Sequence, residues 1–361
     1  MNSDSRWLAQ AISGRALSLP ATASLVDTAL DARLGPLLAS LPISTSLPDC
    51  DRRRLAAASR EAVAHGALLD RELVRAVAAL DASGIRAIAF KGAHLAHALY
   101  PEPHLRPRTD VDLLVAPVDR TRASVTLAAA GYTRPVHVSG TVILGQFHVE
   151  RTTRWGGRVP LDVHWRPFAP LVLCGALDAE DLFRDAATQM VAGVAVRVPS
   201  VPHALALAVL HLAAHHGHGW DLLWLNDVRL LAAQLAADAR RAFARFAQTR
   251  RFSGIAAAVT REAGEAFEDA TLCAFADDLR IDGASEPSMA LLDARRTPMR
   301  DLLLDLRVAP WRQRLTLLRE HVLPPSAYFR ARSKSGWLPL AYARRAVRGA
   351  RRWSARPRLE D

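Results

Sequence analysis

From about residue 5 to residue 80 the apolar positions recur at helical intervals. In "LAAASREAVAHGALLDRELVRAVAALDASG" leucine, valine and alanine return every three or four positions, which predicts an amphipathic helix stopping at Gly84. The pattern then breaks. "IRAIAF" is a short apolar run expected to be a strand, "KGAHLAHALY" returns to helical spacing from a Lys-Gly turn, and "PEPHLRPRT" is a proline-punctuated loop. "DVDLLV" predicts a buried strand and "PVDRTRASVTLAAAGY" a helix ending at Gly131. Strands are expected at about 132–138, at about 141–151 and in "RVPLDVHWRP", with another in "GVAVRVPS". From Pro202 only helical spacing remains, in "HALALAVLHLAAHHGHG", "WDLLWLNDVRLLAAQLAA", "ARRAFARFAQTR" and "FSGIAAAVTREAGEAF", with a further pair before about 320.

This order predicts an α+β fold, a mixed sheet with helices on one face. The expected organisation is an N-terminal helical segment at 1–84, an α/β core at 85–200, a C-terminal helical part at 201–325 and a basic tail at 326–361. With 361 residues and 50% hydrophobic content the chain can bury a sizeable core. The three cysteines, Cys50, Cys174 and Cys273, are scattered without CxxC spacing, so neither a disulfide framework nor a thiolate cluster is expected. No secretory signal and no membrane span are expected, and the expected location is cytoplasmic. The net charge of +11 is concentrated at one end. Residues 330–361 carry ten basic and two acidic groups, a net of +8, which leaves 37 − 34 = +3 for the rest. In "LAYARRAVRGARRWSARPR" Arg344, Arg348, Arg351 and Arg352 share a helical stripe; such a tail is either a solvated end or a grip on RNA or an anionic surface.

The stretch "FKGAHLAHALYPEPHLRPRTDVDLLV" sets two carboxylates at the head of an apolar strand. Alternation along a strand puts Asp110 and Asp112 on one face. Side by side they repel, unless a cation sits between them. "VPLDVHWRP" places a third carboxylate, Asp162, in another apolar strand, with His164 on the same face. If these strands are neighbours, the three aspartates converge as in a two-metal phosphoryl-transfer site, for which magnesium is the usual ion. Upstream, Gly92 lets backbone N–H groups approach an anion at a helix start, and Lys91 adds a point charge. Arg106 and Arg108 precede the aspartates and reach toward the same place.

Together these motifs resemble the DNA polymerase β-like nucleotidyltransferase superfamily. With "LDVHWR" and "HALALAVLHLAAHHGHGWDLLWLNDVRLL", the chain looks more closely like the bacterial family of uncharacterised nucleotidyltransferases, over roughly residues 55–235. That family pairs a Lys-Gly turn with an Arg-x-x-(Ser/Thr)-Asp-x-Asp strand and an Asp-x-His-Trp strand. The resemblance implies a polymerase β-like sheet, Asp110, Asp112 and Asp162 as catalytic metal ligands, and Mg2+ or Mn2+ as the ion. It also implies NTP as substrate, held by Lys91, Gly92, Arg106 and Thr109, with His164 a possible substrate contact. Most of the wider superfamily carries Gly-Ser where this chain carries Lys91-Gly92; the close family shares the Lys-Gly form. The implied reaction moves a nucleoside monophosphate to an unidentified small-molecule or protein acceptor, and the alternative is a non-catalytic nucleotide- or partner-binding module on the same fold.

Each residue also has an ordinary structural reading. Asp110 and Asp112 can pair with Arg106 and Arg108, Asp162 with Arg158 or Arg166, and Lys91 can be a solvated side chain. His164 and Trp165 can simply anchor their strand. His203, His211 and His215 share a helical face, followed by His216 and His218, but lack the third ligand of a zinc site and are expected to be core or interface residues. Asp227 is expected to be a polar contact between the helical part and the core. Repulsion between Asp110 and Asp112 predicts that Asp112→Asn leaves the fold intact or slightly more stable.

Overall fold

The computed structural model describes residues 1–17, 21–135, 142–154, 156–215, 221–279, 286–293 and 296–322, with positions 340, 342 and 344. Apart from those three positions the basic tail lies outside the described residues, as do His216 and His218.

Four helices lead: α1 (Ser3–Ile12), α2 (Leu25–Asp31), α3 (Gly35–Ser40) and the long α4 (Asp49–Ala82). Helix α4 ends as its sequence predicts, with Gly84 at φ 68°, a left-handed conformation that costs glycine little. The sheet elements follow: β1 (Ala87–Phe90), α5 (Gly92–Leu99), β2 (Val111–Val115), α6 (Arg120–Ala129), β3 (Gln146–Thr152) and β4 (Arg158–His164). After α7 (Ala179–Arg184) the strands β5 (Ala187–Val191) and β6 (Val194–Val198) form a separate hairpin. Helices close the chain: α8 (Val201–His215), α9 (Leu222–Ala233), α10 (Ala237–Thr249), α11 (Ser253–Ala266), α12 (Ala270–Leu279), α13 (Pro298–Val308) and α14 (Trp311–Val322).

The four-stranded sheet runs β1-β2-β4-β3. The pairing of β2 with β4 is parallel; β1–β2 and β3–β4 are antiparallel, so the sheet is mixed and the fold is α+β. Alternation along the strands sorts the side chains into two cores. Ala87, Ala89, Val111, Leu113, Leu161 and Val163 pack with Leu69, Leu73 and Leu80 of α4 and Leu127 of α6. Their neighbours Ile88, Phe90 and Leu114 point the other way, into a cluster shared with α5 and α8–α12. Helices therefore cover both faces, not the single face expected. The reason is that β1 and β2 are buried at every position, and Ile88, Phe90 and Leu114, on the face away from α4, need a second apolar layer to pack against. Helices α1–α3 join this second cluster, so the leading helices share one core with α8–α12.

Two strand expectations shift. Around 132–138 the described residues hold one isolated bridge, Thr133 to Glu150; residues 136–138 lie outside the description. The strand expected at 141–151 starts at Gln146, after the turn at Gly145. Strand β5 was not anticipated: its sequence "ATQMV" is largely exposed and carries no apolar alternation.

Candidate functional site

The parallel register sets Asp112 directly opposite Asp162, and Leu114 opposite His164. On the other side β3 sets His148 opposite Asp162 and Gln146 opposite His164. Asp112, Asp162, His164, His148 and Gln146 thus all emerge from the sheet face away from α4. One ligand atom each from Asp112, Asp162 and His164 lies within 4.8 Å of the others. Asp110, two residues before Asp112, stands outside this set and near enough to feel both carboxylates.

The partners are specific. Lys91 Nζ donates to Asp112 Oδ1 at 2.7 Å, and His164 Nε2 lies 2.8 Å from the same oxygen and 3.5 Å from Nζ. His148 Nδ1 sits 2.6 Å from Asp162 Oδ1, and Gln146 Nε2 donates to Asp162 Oδ2 at 3.1 Å. Burial alone would raise the pKa of Asp112, but the Lys91 charge and the His164 contact hold it well below the usual carboxylate range. Burial, reinforced by the Lys91 charge, pushes the pKa of the His164 imidazole down. The hydrogen bond to Asp162 raises His148.

Asp110 is the exception. Among the described residues it makes no hydrogen bond or ion pair. Burial, then the charges of Asp112 and Asp162, push its pKa up to about 6. Lys91 and His148 pull the other way, but without a hydrogen bond they do not offset the burial and the two carboxylates. Asp112, Asp162 and His164 form a donor set that fits a divalent cation, two hard carboxylate oxygens and an imidazole nitrogen, with the Asp110 carboxylate nearby.

The Lys-Gly turn is strained. Lys91 has φ 52° and ψ −132°, a backbone state that a non-glycine residue holds only when its surroundings impose it. Its carbonyl accepts from the N–H groups of His94 and Leu95, and its ammonium reaches Asp112. Gly92 leaves room for the loop that packs against it. A Cβ there would stand 3.1 Å from Arg106 Nη1 and 3.3 Å from Arg108 Cβ, so a larger residue would require the two arginines to shift by a few tenths of an ångström.

Both arginines are buried. Arg106 grips Asp227 of α9 through Nε and Nη2, at 2.7–3.0 Å. Tyr100 OH donates to the same carboxylate at 2.9 Å, and Asn226 Nδ2 donates to Tyr100. Arg108 is held by Asp70 of α4, which also accepts from His97. A cavity of about 200 Å³ opens between these elements. Lys91, Gly92, Arg106, Thr109, Asp110 and Asp112 form one wall, and Leu207, Leu212 and Trp224 of α8 and α9 stand in the other. Asp162 and His164 lie outside that lining.

The family described as uncharacterised nucleotidyltransferase matches residues 22–267, well over half of the chain. The chain belongs to that family. No curated protein matches it at a significant level. Among solved structures it is similar to an antigenic nucleotidyltransferase-like protein from Paracoccidioides brasiliensis, at 16% identity, TM-score 0.33, with 54% of this chain and 91% of the other covered. It is also similar to JHP933 from Helicobacter pylori, at 13% identity, TM-score 0.31, with 72% and 98% covered.

Within this nucleotidyltransferase family member, the ordinary pairings considered for the acidic residues do not occur. Arg106 and Arg108 turn to Asp227 and Asp70, Arg158 pairs with Glu150, and Arg166 donates to the carbonyls of Val142, Ile143 and Ala169. The structure brings together Asp112, Asp162, His164 and Lys91, with Asp110 beside them. It places Gly92, Arg106 and Thr109 along the cavity wall, Thr109 exposed. One expectation is corrected: Asp112 is not the strained carboxylate, because Lys91 and His164 satisfy it; the carboxylate left without a hydrogen bond, and pushed up, is Asp110. Sequence reasoning overlooked Gln146 and His148, the residues that orient Asp162. Their alternation in "QFHVE" was visible, but nothing along the chain revealed that this strand lies beside Asp162. His203 is buried in the helical part as expected, whereas His211 is among the residues lining the cavity, its ring 4.7 Å from that of His215 and tilted by 43°.

The state of Asp110 gives a pH test. Folded, it keeps its proton up to about pH 6; in the unfolded chain it loses it near pH 4. Between those values the folded state holds more protons, so stability falls as pH rises. A shift of about two units corresponds to at most roughly 3 kcal/mol, reduced by the group's partial exposure. Thermal melts in metal-free buffer should show this component in the parent and not in Asp110→Asn, which should be the more stable protein at pH 7. A parent at least as stable as the variant at pH 7 would mean that Asp110 already has a cationic partner.

Proposed function

We propose that this protein transfers a nucleoside monophosphate from an NTP to an acceptor, with release of pyrophosphate, in a reaction that depends on a divalent ion. The observation that carries this reading is the parallel β2–β4 register, which sets Asp112 against Asp162 beside an unpartnered Asp110. Asp110, Asp112 and Asp162 would hold Mg2+ or Mn2+. His164 either ligates or, through its contact with Asp112, keeps that carboxylate oriented. Such an ion, when bound, neutralises triphosphate charge and favours attack at the α-phosphorus.

The rest is positioning by the chain's own groups. Backbone N–H groups at Gly92 and the Lys91 ammonium receive the β- and γ-phosphates. Arg106 keeps Nη1 beside Gly92 while Asp227 holds its other two nitrogens, and the Thr109 hydroxyl stands at the cavity mouth. The acceptor's nucleophilic atom forms a bond to the α-phosphorus as the α–β bridging bond breaks. The electron pair leaves with pyrophosphate, and the acceptor's proton passes to Asp162, whose orientation His148 and Gln146 maintain.

A second reading has its own observation. Lys91 Nζ at 2.7 Å already neutralises Asp112 from within, as suits a non-catalytic nucleotide- or partner-binding module. Magnesium with each NTP should raise the melting temperature under either nucleotide-binding reading, since a ligand bound only by the folded state stabilises it. Label decides between them. With α-labelled NTP, magnesium and a cell extract, transfer predicts a labelled acceptor and stoichiometric pyrophosphate. The binding module predicts stabilisation with neither product.

A further inference from the structure

Helices α13 and α14 carry their apolar residues on the wrong side for a globular core. Six of the thirteen exposed large hydrophobic residues among those described fall between residues 299 and 318. On α14, Trp311 (73% exposed), Leu315 (77%) and Leu318 (39%) are spaced i, i+4, i+7 and form one stripe. Leu317, on the opposite side of the same helix, is the residue that packs inward, with Leu171, Leu302 and Ala309. On α13, Met299 and Leu303 are likewise exposed while Leu302 is buried. The pair is thus anchored by a small satellite core and turns its larger apolar stripe to the outside.

Charge is sorted the same way. Every carboxylate of the two helices engages the protein body. Asp301 accepts from Arg296, Asp305 from the Leu171 N–H, and Glu320 from the N–H groups of Val142 and Ile143. Arg307, Arg312, Arg314 and Arg319 are exposed. The outer face of α13–α14 therefore combines leucines and a tryptophan with arginines and offers no outward carboxylate.

We propose that this face docks on an anionic lipid bilayer, lying in the interface with Trp311, Leu315 and Leu318 among the acyl chains and the arginines at the headgroups. Among the described residues no helix is long and apolar enough to cross a membrane, so the contact runs along the surface. The occupant has to be anionic and apolar at once, which selects among the alternatives. A second copy would set arginines against arginines, and the chain's own tail, at +8 over residues 330–361, would add like charge. RNA would meet the arginines but gain nothing from an aliphatic stripe. A bilayer of mixed anionic lipid satisfies both halves, and the adjoining tail would strengthen the attraction. This inference stands independently of the reaction proposed above.

The test is flotation of the full-length protein with vesicles of neutral phosphatidylcholine and with vesicles containing about 30% phosphatidylserine. The expected result is co-flotation with the anionic vesicles only, weakened by salt, and reduced about tenfold or more by Leu315→Glu and by Leu303→Glu. Both side chains are exposed, so circular dichroism and melting of the variants should match the parent. Parent protein that fails to float with anionic vesicles overturns the proposal. So does anionic binding that Leu315→Glu and Leu303→Glu leave unchanged, which would assign it to the basic tail alone. A dimer in light scattering that Leu315→Glu dissociates would assign the face to a second copy and overturn it as well.

Discussion

Asp112→Asn is expected to lower nucleotidyl transfer by at least about a thousandfold while costing the fold roughly 1–3 kcal/mol. The first effect follows from removing a metal-holding carboxylate where catalysis is mostly charge placement. The second follows from the contacts: Asp112 is buried and receives Lys91 Nζ at 2.7 Å with His164 at 2.8 Å, and charge-assisted hydrogen bonds are the stronger kind. Asp110→Asn should differ in sign on stability and agree in sign on activity, because Asp110 has no hydrogen bond to lose and a repulsion to relieve. Two aspartates a single residue apart would thus move the melting temperature in opposite directions. Pyrophosphate release measured beside thermal melts of the two variants checks both statements. Transfer that survives Asp112→Asn would show that the chemistry lies elsewhere.

Arg106→Ala should be the most destabilising single change at the site, by about 3–5 kcal/mol in urea or thermal unfolding. It leaves the Asp227 carboxylate buried at 2% exposure without its cation, and an orphaned buried charge costs far more than the net worth of the intact pair. Against a typical total of about 5–15 kcal/mol this brings the protein close to its limit. The double variant Arg106→Met with Asp227→Leu removes both charges and should recover much of the loss. It also separates the two roles of Arg106. A refolded double variant with weakened NTP affinity assigns Nη1 to phosphate, whereas unchanged affinity reduces Arg106 to a clamp between the loop and α9. A loss below about 1 kcal/mol for Arg106→Ala would contradict the burial of the pair.

The site's ingredients were readable before its geometry. Alternation along "DVDLLV" and "PLDVHW" is enough to put Asp110 with Asp112 and Asp162 with His164, because the side-chain period of a strand is two whatever surrounds it. Helical spacing placed α4 and the helices after Pro202, and Gly84 marked the end of α4 for a local backbone reason. What lay beyond the sequence was adjacency. That β2 runs parallel to β4, that β3 brings His148 and Gln146 to Asp162, and that Arg106 turns to Asp227 in a helix 121 residues away are long-range pairings. No local propensity records them. Strand β5 was hidden for the same reason: largely exposed and without apolar alternation, it owes its conformation to its partner β6 rather than to its own pattern. Local sequence determined which residues could share a face; only the packed chain decided which faces meet, because charge compensation and burial depend on neighbours in space rather than along the chain.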